Sequence, residues 1–289
     1  MPQFDYVAPT SVDEAVKALI GAPSARVLAG GTDLIVQMRA GRQRPGAVVD
    51  HKHIPGAIGI RRETDGGFTI GAATSGAALG EEAALVHAWP GVVEAANLIG
   101  STQVQGRASL GGNLCNASPA ADSVPALIAA RATCVIVGPS GRRVAPVEAI
   151  QISPGRTSLQ PGEFILEFRL PPRPKRSADA YLRLIPRTEM DIAVVGAAVS
   201  LVLGGDGVIT EAYVSLGAVA PTTLLVAAAG ETITGGKLSD EALDRLDAAA
   251  RAACNPIDDK RGTIDYRTKI AGVLARRAAA IAYARAEAR

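Results

Sequence analysis

The chain has 289 residues, 48% hydrophobic and 20% charged, which excludes disorder over most of its length and suffices for two domains or three small lobes. Its 30 basic and 28 acidic residues leave a net charge of +2 without a basic stripe, and only 3% are aromatic, so no nucleic-acid partner is expected. The three cysteines, Cys115, Cys134 and Cys254, are too few and too widely spaced for a disulfide framework or a zinc site.

Met1-Pro2-Gln3-Phe4-Asp5 lacks the basic and apolar regions of a secretory leader, and no apolar run reaches the roughly 18 residues that span a bilayer. A cytoplasmic protein with no membrane span is expected. Ser11 and Glu14 form a capping box ahead of Val12, Ala15, Val16, Leu19 and Ile20, which recur at helical spacing. A strand at Val27–Ala29, a helix from about Thr32 to Arg39 and a strand through Val48-Val49 complete a small α/β lobe, about residues 1–55. Ile58, Ile60, Phe68 and Ile70 alternate across a hairpin at Asp65-Gly66-Gly67, and helices follow near Ala77–Val86 and Val92–Ile99. With strands at Cys134–Val137 and Glu163–Leu170 they make a second, α+β lobe over residues 56–174. Pro171-Pro172-Arg173-Pro174-Lys175 holds the backbone extended and places a domain boundary there. Beyond it, Tyr181–Ile185, Ile192–Leu203 and Val208–Ala218 read as three antiparallel strands, and Leu225–Ala229, Asp240–Ala253 and Ile264–Ala288 as helices packed on them.

Two stretches carry chemistry. Arg26–Leu34, RVLAGGTDL, runs from a strand through Gly30-Gly31 and Thr32-Asp33 into a helix, the arrangement of an anion-binding turn. Gly106–Leu127, GRASLGGNLCNASPAADSVPAL, crowds Ser109, Gly111, Gly112, Asn113, Asn116 and Ser118 together, then marks a helix start with Asp122, Ser123 and Pro125. It reads as a phosphate cradle or as a long surface loop. Two such turns suit a ligand with two phosphates, a dinucleotide, although neither has the G-x-G-x-x-G spacing of the Rossmann fingerprint. Cys115 beside the second turn reads as a packing residue or a neighbour of the ligand, and Cys134 as a buried small hydrophobe. His51 and His53 lack a third metal ligand and read as exposed polar residues, so no metal site is expected. GETITGGKL at Gly230–Leu238 fails as a P-loop, because Leu238 stands where Ser or Thr is required.

AGGTDL at Ala29–Leu34, with SLGGNLCNASPAADSVPAL at Ser109–Leu127, resembles the FAD-binding medium subunit of the molybdenum hydroxylases, the family of xanthine dehydrogenase and aerobic carbon monoxide dehydrogenase. The likeness extends to NPIDDKRGTIDYRTKIAGVLARRA at Asn255–Ala278, with one departure: Gln105, Gly106, Arg107, Ala108 and Ser109 stand where the family often has R-N-x-G-T. It implies an α+β fold, a two-lobed PCMH-type FAD-binding domain over 1–174. A C-terminal domain over 175–289 follows, with a three-stranded antiparallel sheet and a helix bundle. The cofactor is FAD. The implied contacts are Val27, Leu28, Ala29, Gly30, Gly31, Thr32, Asp33, Leu34, Ile99, Ser109, Gly111, Gly112, Asn113, Leu114, Cys115, Asp122, Ile165 and Arg183.

Within that set, Asp122 reads as an N-cap and, by the resemblance, as a partner of ribityl hydroxyls; Asp33 is read chiefly as a helix cap. Arg183 aligns with a basic residue at the N1–C2=O edge of the ring, and Ile192 falls where some members carry a tyrosine on its face. The resemblance further implies partners: a small [2Fe–2S] subunit and a large molybdopterin subunit, as a dimer of heterotrimers. A [2Fe–2S] cluster typically needs four thiolates, and three dispersed cysteines cannot supply them. The expected role is electron transfer, with no general base or nucleophile in this chain; the other reading is a standalone FAD-dependent oxidoreductase with its own substrate.

Overall fold

The computed structural model describes residues 3–289. Three short strands, Asp5–Val7, Ala47–Asp50 and Arg26–Leu28, form a parallel sheet in that spatial order. The Val12–Gly21 helix covers it, starting where the Ser11 hydroxyl accepts from Glu14 N at 3.3 Å while the Glu14 carboxylate accepts from Thr10 N at 2.8 Å. The reciprocal bond of the expected box thus reaches one residue further back. Ala15 and Val49 pack this lobe on Val137, Phe164 and Leu166 of the next.

The second lobe is an antiparallel five-stranded sheet in the order Ile60–Arg62, Phe68–Gly71, Phe164–Leu170, Thr133–Gly138 and Gly141–Pro146. Phe68, Ile70, Ile136 and Phe168 from this sheet meet Leu79, Val92, Leu110, Leu114 and Leu127 from the helices in one core. The helix expected over Ala77–Val86 is two, Gly76–Glu81 and Ala83–Ala88, broken at Glu82, whose carboxylate caps the second by accepting from Ala84 N.

In the remaining chain, Ser177–Leu184, Val195–Leu203 and Ile209–Gly217 are antiparallel neighbours, extended by a two-residue strand, Leu224–Leu225, whose second residue the sequence reading placed in a helix. The helix there begins later, at Ala227–Glu231. The Ile264–Glu287 helix lies across this sheet, its alanines Ala271, Ala275, Ala278, Ala279 and Ala282 all buried, and the Asp240–Ala252 helix packs on it. Small side chains at helical spacing let the helix axis approach the sheet closely.

The end of that long helix grips the second lobe. Arg285 donates to the Asp179 carbonyl at 2.9 Å and pairs with Glu94 on the Pro90–Asn97 helix, while Arg289 donates to the Ser177 carbonyl at 3.0 Å. Asp179 itself reaches across: its carboxylate accepts from Val92 N at 3.1 Å and from Arg173 at 3.0 Å, and the Arg173 guanidinium lies 3.9 Å above the Trp89 ring centroid. A helix start, a carboxylate, a cation and an indole therefore stack into one seam.

Candidate functional site

The strand Arg26–Leu28 ends beneath the first glycine turn, and two side chains from the neighbouring strand end brace it. His51 Nδ1 donates to the Leu28 carbonyl at 3.1 Å with its ring edge-on to Phe164, and Lys52 Nζ donates to the Ala29 carbonyl at 2.9 Å while pairing with Asp50. His51 is buried, not exposed as the sequence suggested, and burial lowers its pKa; His53 is exposed.

Gly31 sits at φ +79°, the left-handed region that favours glycine. A Cβ on Gly30 would lie 1.7 Å from the Arg107 carbonyl oxygen, so glycine here permits a close approach between the two turns. Arg107 Nε returns a bond of 3.3 Å to the Gly30 carbonyl, and Gln37 Nε2 donates to Asn116 Oδ1 at 2.8 Å. The turns that the sequence separates by nearly 80 residues thus form the two sides of one cleft.

The N–H groups of Gly30, Gly31, Thr32, Asp33 and Leu34 find no acceptor among the described residues. That row of five donors fits a diphosphate. Asp33 stands at the N-cap position of the Leu34–Arg39 helix, but its carboxylate makes no capping bond. It is open to solvent yet recessed among protein, and this desolvation raises its pKa. Cys115 has the same character: it is exposed rather than packed, and the protein around it pushes its thiol up to about 12.

The second turn differs from the expected cradle. Leu110–Cys115 is a short helix capped by Ser109, whose hydroxyl accepts from Gly112 N at 3.2 Å. Gly111 N donates to the Ala72 carbonyl, and a Cβ on Gly111 would stand 2.5 Å from that oxygen; its bareness serves packing rather than ligand approach. Gly112 is the open one, where a Cβ would meet only Ser109 Oγ at 3.3 Å. Leu114 is buried. Asn116 is committed to Gln37, Ser118 to Ala120 N, and Asn113 Oδ1 accepts from both Ser123 N and Ser123 Oγ.

Asn113 thereby does the capping expected of Asp122. The Asp122 carboxylate makes no cap to the Ser123–Ala129 helix and turns to the next domain: Oδ2 accepts from Arg183 Nη1 at 2.7 Å and Oδ1 from the Tyr181 hydroxyl at 3.1 Å. Burial outweighs both partners and raises its pKa to about 6 from 3.8. Among the described residues Arg183 Nε is buried without a partner.

The remaining expected residues are more peripheral. Ile165 is buried within the sheet core, so only its main chain remains for a ligand. Ile99 is half-buried beside Gly100, whose carbonyl accepts from Met190 N at 3.2 Å. By that bond the 186–192 loop folds back over the second lobe, with Ile192 49% exposed. Sequence reading missed Lys52, His51, Gln37 and Tyr181; only the pairing of distant segments reveals them. Two cavities of about 420 and 220 Å³ lie elsewhere, the larger lined by Arg62, His87, Arg173 and Arg176, and neither holds a residue of the glycine turns.

A two-lobed α+β domain with an open donor row at its glycine turn, closed by a mixed sheet-and-helix domain, defines a flavoprotein of the dinucleotide-binding kind. Residues 2–173 match the FAD binding domain in molybdopterin dehydrogenase, and residues 180–282 match the CO dehydrogenase flavoprotein C-terminal domain. The chain belongs to the family of FAD-binding subunits of the molybdenum hydroxylases, oxidoreductases. It is 35% identical over 286 residues to the carbon monoxide dehydrogenase medium chain of Hydrogenophaga pseudoflava, covering 98% of each chain. It is 29% identical over 268 residues, 91% of each, to the xanthine dehydrogenase FAD-binding subunit of Escherichia coli O157:H7. Its structure superposes on carbon monoxide dehydrogenase from Hydrogenophaga pseudoflava lacking the Mo-pyranopterin moiety, with a TM-score of 0.93 over 98% of both chains at 35% identity. FAD is the cofactor of this family. Among the described residues no helix is long and apolar enough to cross a membrane.

Proposed function

We propose that this subunit takes electrons from [2Fe–2S] clusters on a small partner subunit and delivers them to an external acceptor. A large molybdopterin subunit would oxidise the substrate, in a dimer of heterotrimers working in the cytoplasm. The observation that carries the reading is the row of N–H groups from Gly30 to Leu34 that find no acceptor among the described residues. The cysteine inventory supports the division of labour: three thiols cannot ligate a cluster, so the donor belongs to another chain.

FAD, when bound, supplies a group that accepts electrons singly and releases them in pairs. The chain's own residues do the rest. The Gly30–Leu34 amides would hold the diphosphate, while His51 and Lys52 fix the Leu28 and Ala29 carbonyls beneath the turn. Gly112 leaves room on the opposite wall, and Arg183 presents a cation whose charge Asp122 balances. The reading keeps 1–174 as the binding domain and 175–289 as the domain that closes it.

The test is an anaerobic flavin spectrum. The FAD-loaded chain alone should stay oxidised when candidate organic substrates are added, and should bleach once the small and large subunits are restored. Bleaching of the isolated chain by an organic substrate would instead establish a standalone oxidoreductase.

A further inference from the structure

Tyr181 and Arg183 project from the same face of the Ser177–Leu184 strand and hold the two oxygens of one carboxylate, Asp122, from the other domain. We propose that Tyr181 is a positioning residue of the FAD site: its hydroxyl fixes the Asp122 carboxylate, and through it the Arg183 guanidinium, so that the two charges face the cofactor as one neutral unit. The proposal deepens the functional reading and rests on its placing of Asp122 and Arg183 beside the flavin.

The surroundings are built for this contact. A Cβ on Gly196, on the adjacent strand, would lie 2.7 Å from the Tyr181 hydroxyl oxygen, so only a bare residue lets the phenol lie across that strand and point at Asp122. Gly217 pairs with Gly196 in register on the next strand, and a Cβ there would stand 2.9 Å from Pro125 Cγ. The same glycine strip therefore seats the first turn of the helix that Asp122 precedes. Both ends of the Tyr181–Asp122 bond are set by backbone.

Removing the hydroxyl would leave Asp122 Oδ1 buried without its donor. Ionisation would become less favourable, and Arg183 would be left without its counter-charge over a wider pH range. The other charged groups nearby are Glu94, which accepts from Tyr181 N at 3.3 Å, and Arg285, which balances it. The remaining partners at this helix start, Asn113, Gly196 and Gly217, do not titrate. Asp122 titrating near 6 places its change of charge within reach of ordinary buffers.

The experiment follows the Asp122 carboxyl by ¹³C NMR in the cofactor-free chain and, in the FAD-loaded chain, the flavin midpoint potential against pH. Wild type should show a carboxyl inflection near 6 in the cofactor-free chain and, in the loaded chain, a break in the potential profile where that carboxyl titrates, besides the break of the reduced flavin itself. Tyr181→Phe, which keeps the ring, should bind FAD one-to-one yet move both inflections up by about one unit. Gly196→Ala should move the carboxyl inflection and its break in the potential profile in the same direction, and Asp122→Asn should remove both while leaving the break of the reduced flavin. Wild-type titration in Tyr181→Phe would overturn the proposal, reducing Tyr181 to core packing. A carboxyl titration that moves while the potential profile stays put would overturn its link to the cofactor. Failure of the wild-type chain to take up FAD would instead strike the underlying flavin reading, and the NMR arm separates that case.

Discussion

Gln37 Nε2 donates to Asn116 Oδ1 at 2.8 Å, bonding the helix after the first double glycine to the turn after the second. With Gly30 pressed on the Arg107 carbonyl, it holds the two walls of the cleft at a set separation before any ligand arrives. Preorganisation of this kind lowers the ordering cost of binding. Gln37→Ala should therefore weaken FAD binding about two- to tenfold, the worth of one hydrogen bond, with little change in Tm. Flavin fluorescence titration of both proteins checks it, and equal Kd values would show that the bond organises nothing.

The paired glycines of the second turn should part company on substitution. Gly112→Val adds a side chain whose Cβ would press only on Ser109 Oγ, at 3.3 Å, beside the proposed cofactor site, and should abolish FAD binding while the far-ultraviolet circular dichroism stays native. Gly111→Ala drives a methyl to 2.5 Å from the Ala72 carbonyl and should cost roughly 1–3 kcal/mol of stability, read from urea denaturation. A destabilised Gly112→Val with normal affinity would invert this assignment.

His51 makes a pH prediction. Burial holds its native pKa below 6.5, so in the window beneath 6.5 the unfolded chain binds a proton that the native chain does not, and stability falls as pH falls. Asp122 acts oppositely: its native pKa of about 6 exceeds 3.8, so between those values the native chain holds the extra proton and stability rises as pH falls. His51→Gln should remove the first slope and leave the second. Denaturation midpoints at pH 7 and pH 5 for both proteins decide; parallel profiles would mean that His51 titrates as freely in the fold as outside it.

Cys115 is exposed but should be a poor nucleophile. With the thiol pushed up to about 12 from 9.0, its thiolate population at pH 8 falls on the order of a thousandfold. Iodoacetamide labelling followed by mass spectrometry should find it far slower than a free thiol, and labelling at the free-thiol rate would refute the desolvated setting.

The part of the site that was legible in sequence is the part that depends on local backbone. Gly30 and Gly31 could be read because a positive φ and a close approach each call for glycine. The Leu110–Cys115 helix was hidden by two glycines and an asparagine that lower its propensity; it exists because Ser109 caps it and Leu110 and Leu114 are buried. The same limit applies to Asp122, whose local context spells N-cap and whose partners lie 59 and 61 residues onward. The strand Asp5–Val7 is three residues long with Tyr6 exposed, too short to show alternation. His51 looked like surface because its acceptor is a carbonyl 23 residues earlier. Side chains that answer to distant backbone leave no periodic trace.

The clasp of Arg285 on Glu94 has a consequence for biosynthesis. The two residues are 191 apart, so at typical translation speeds the helix bearing Glu94 waits about 10–40 s for its partner to be made. Through that interval the surface of the second lobe that Arg285 later covers lacks that partner. A growing chain would thus complete its second lobe before the C-terminal clasp exists, and the uncovered seam is where a nascent form would need shielding from aggregation.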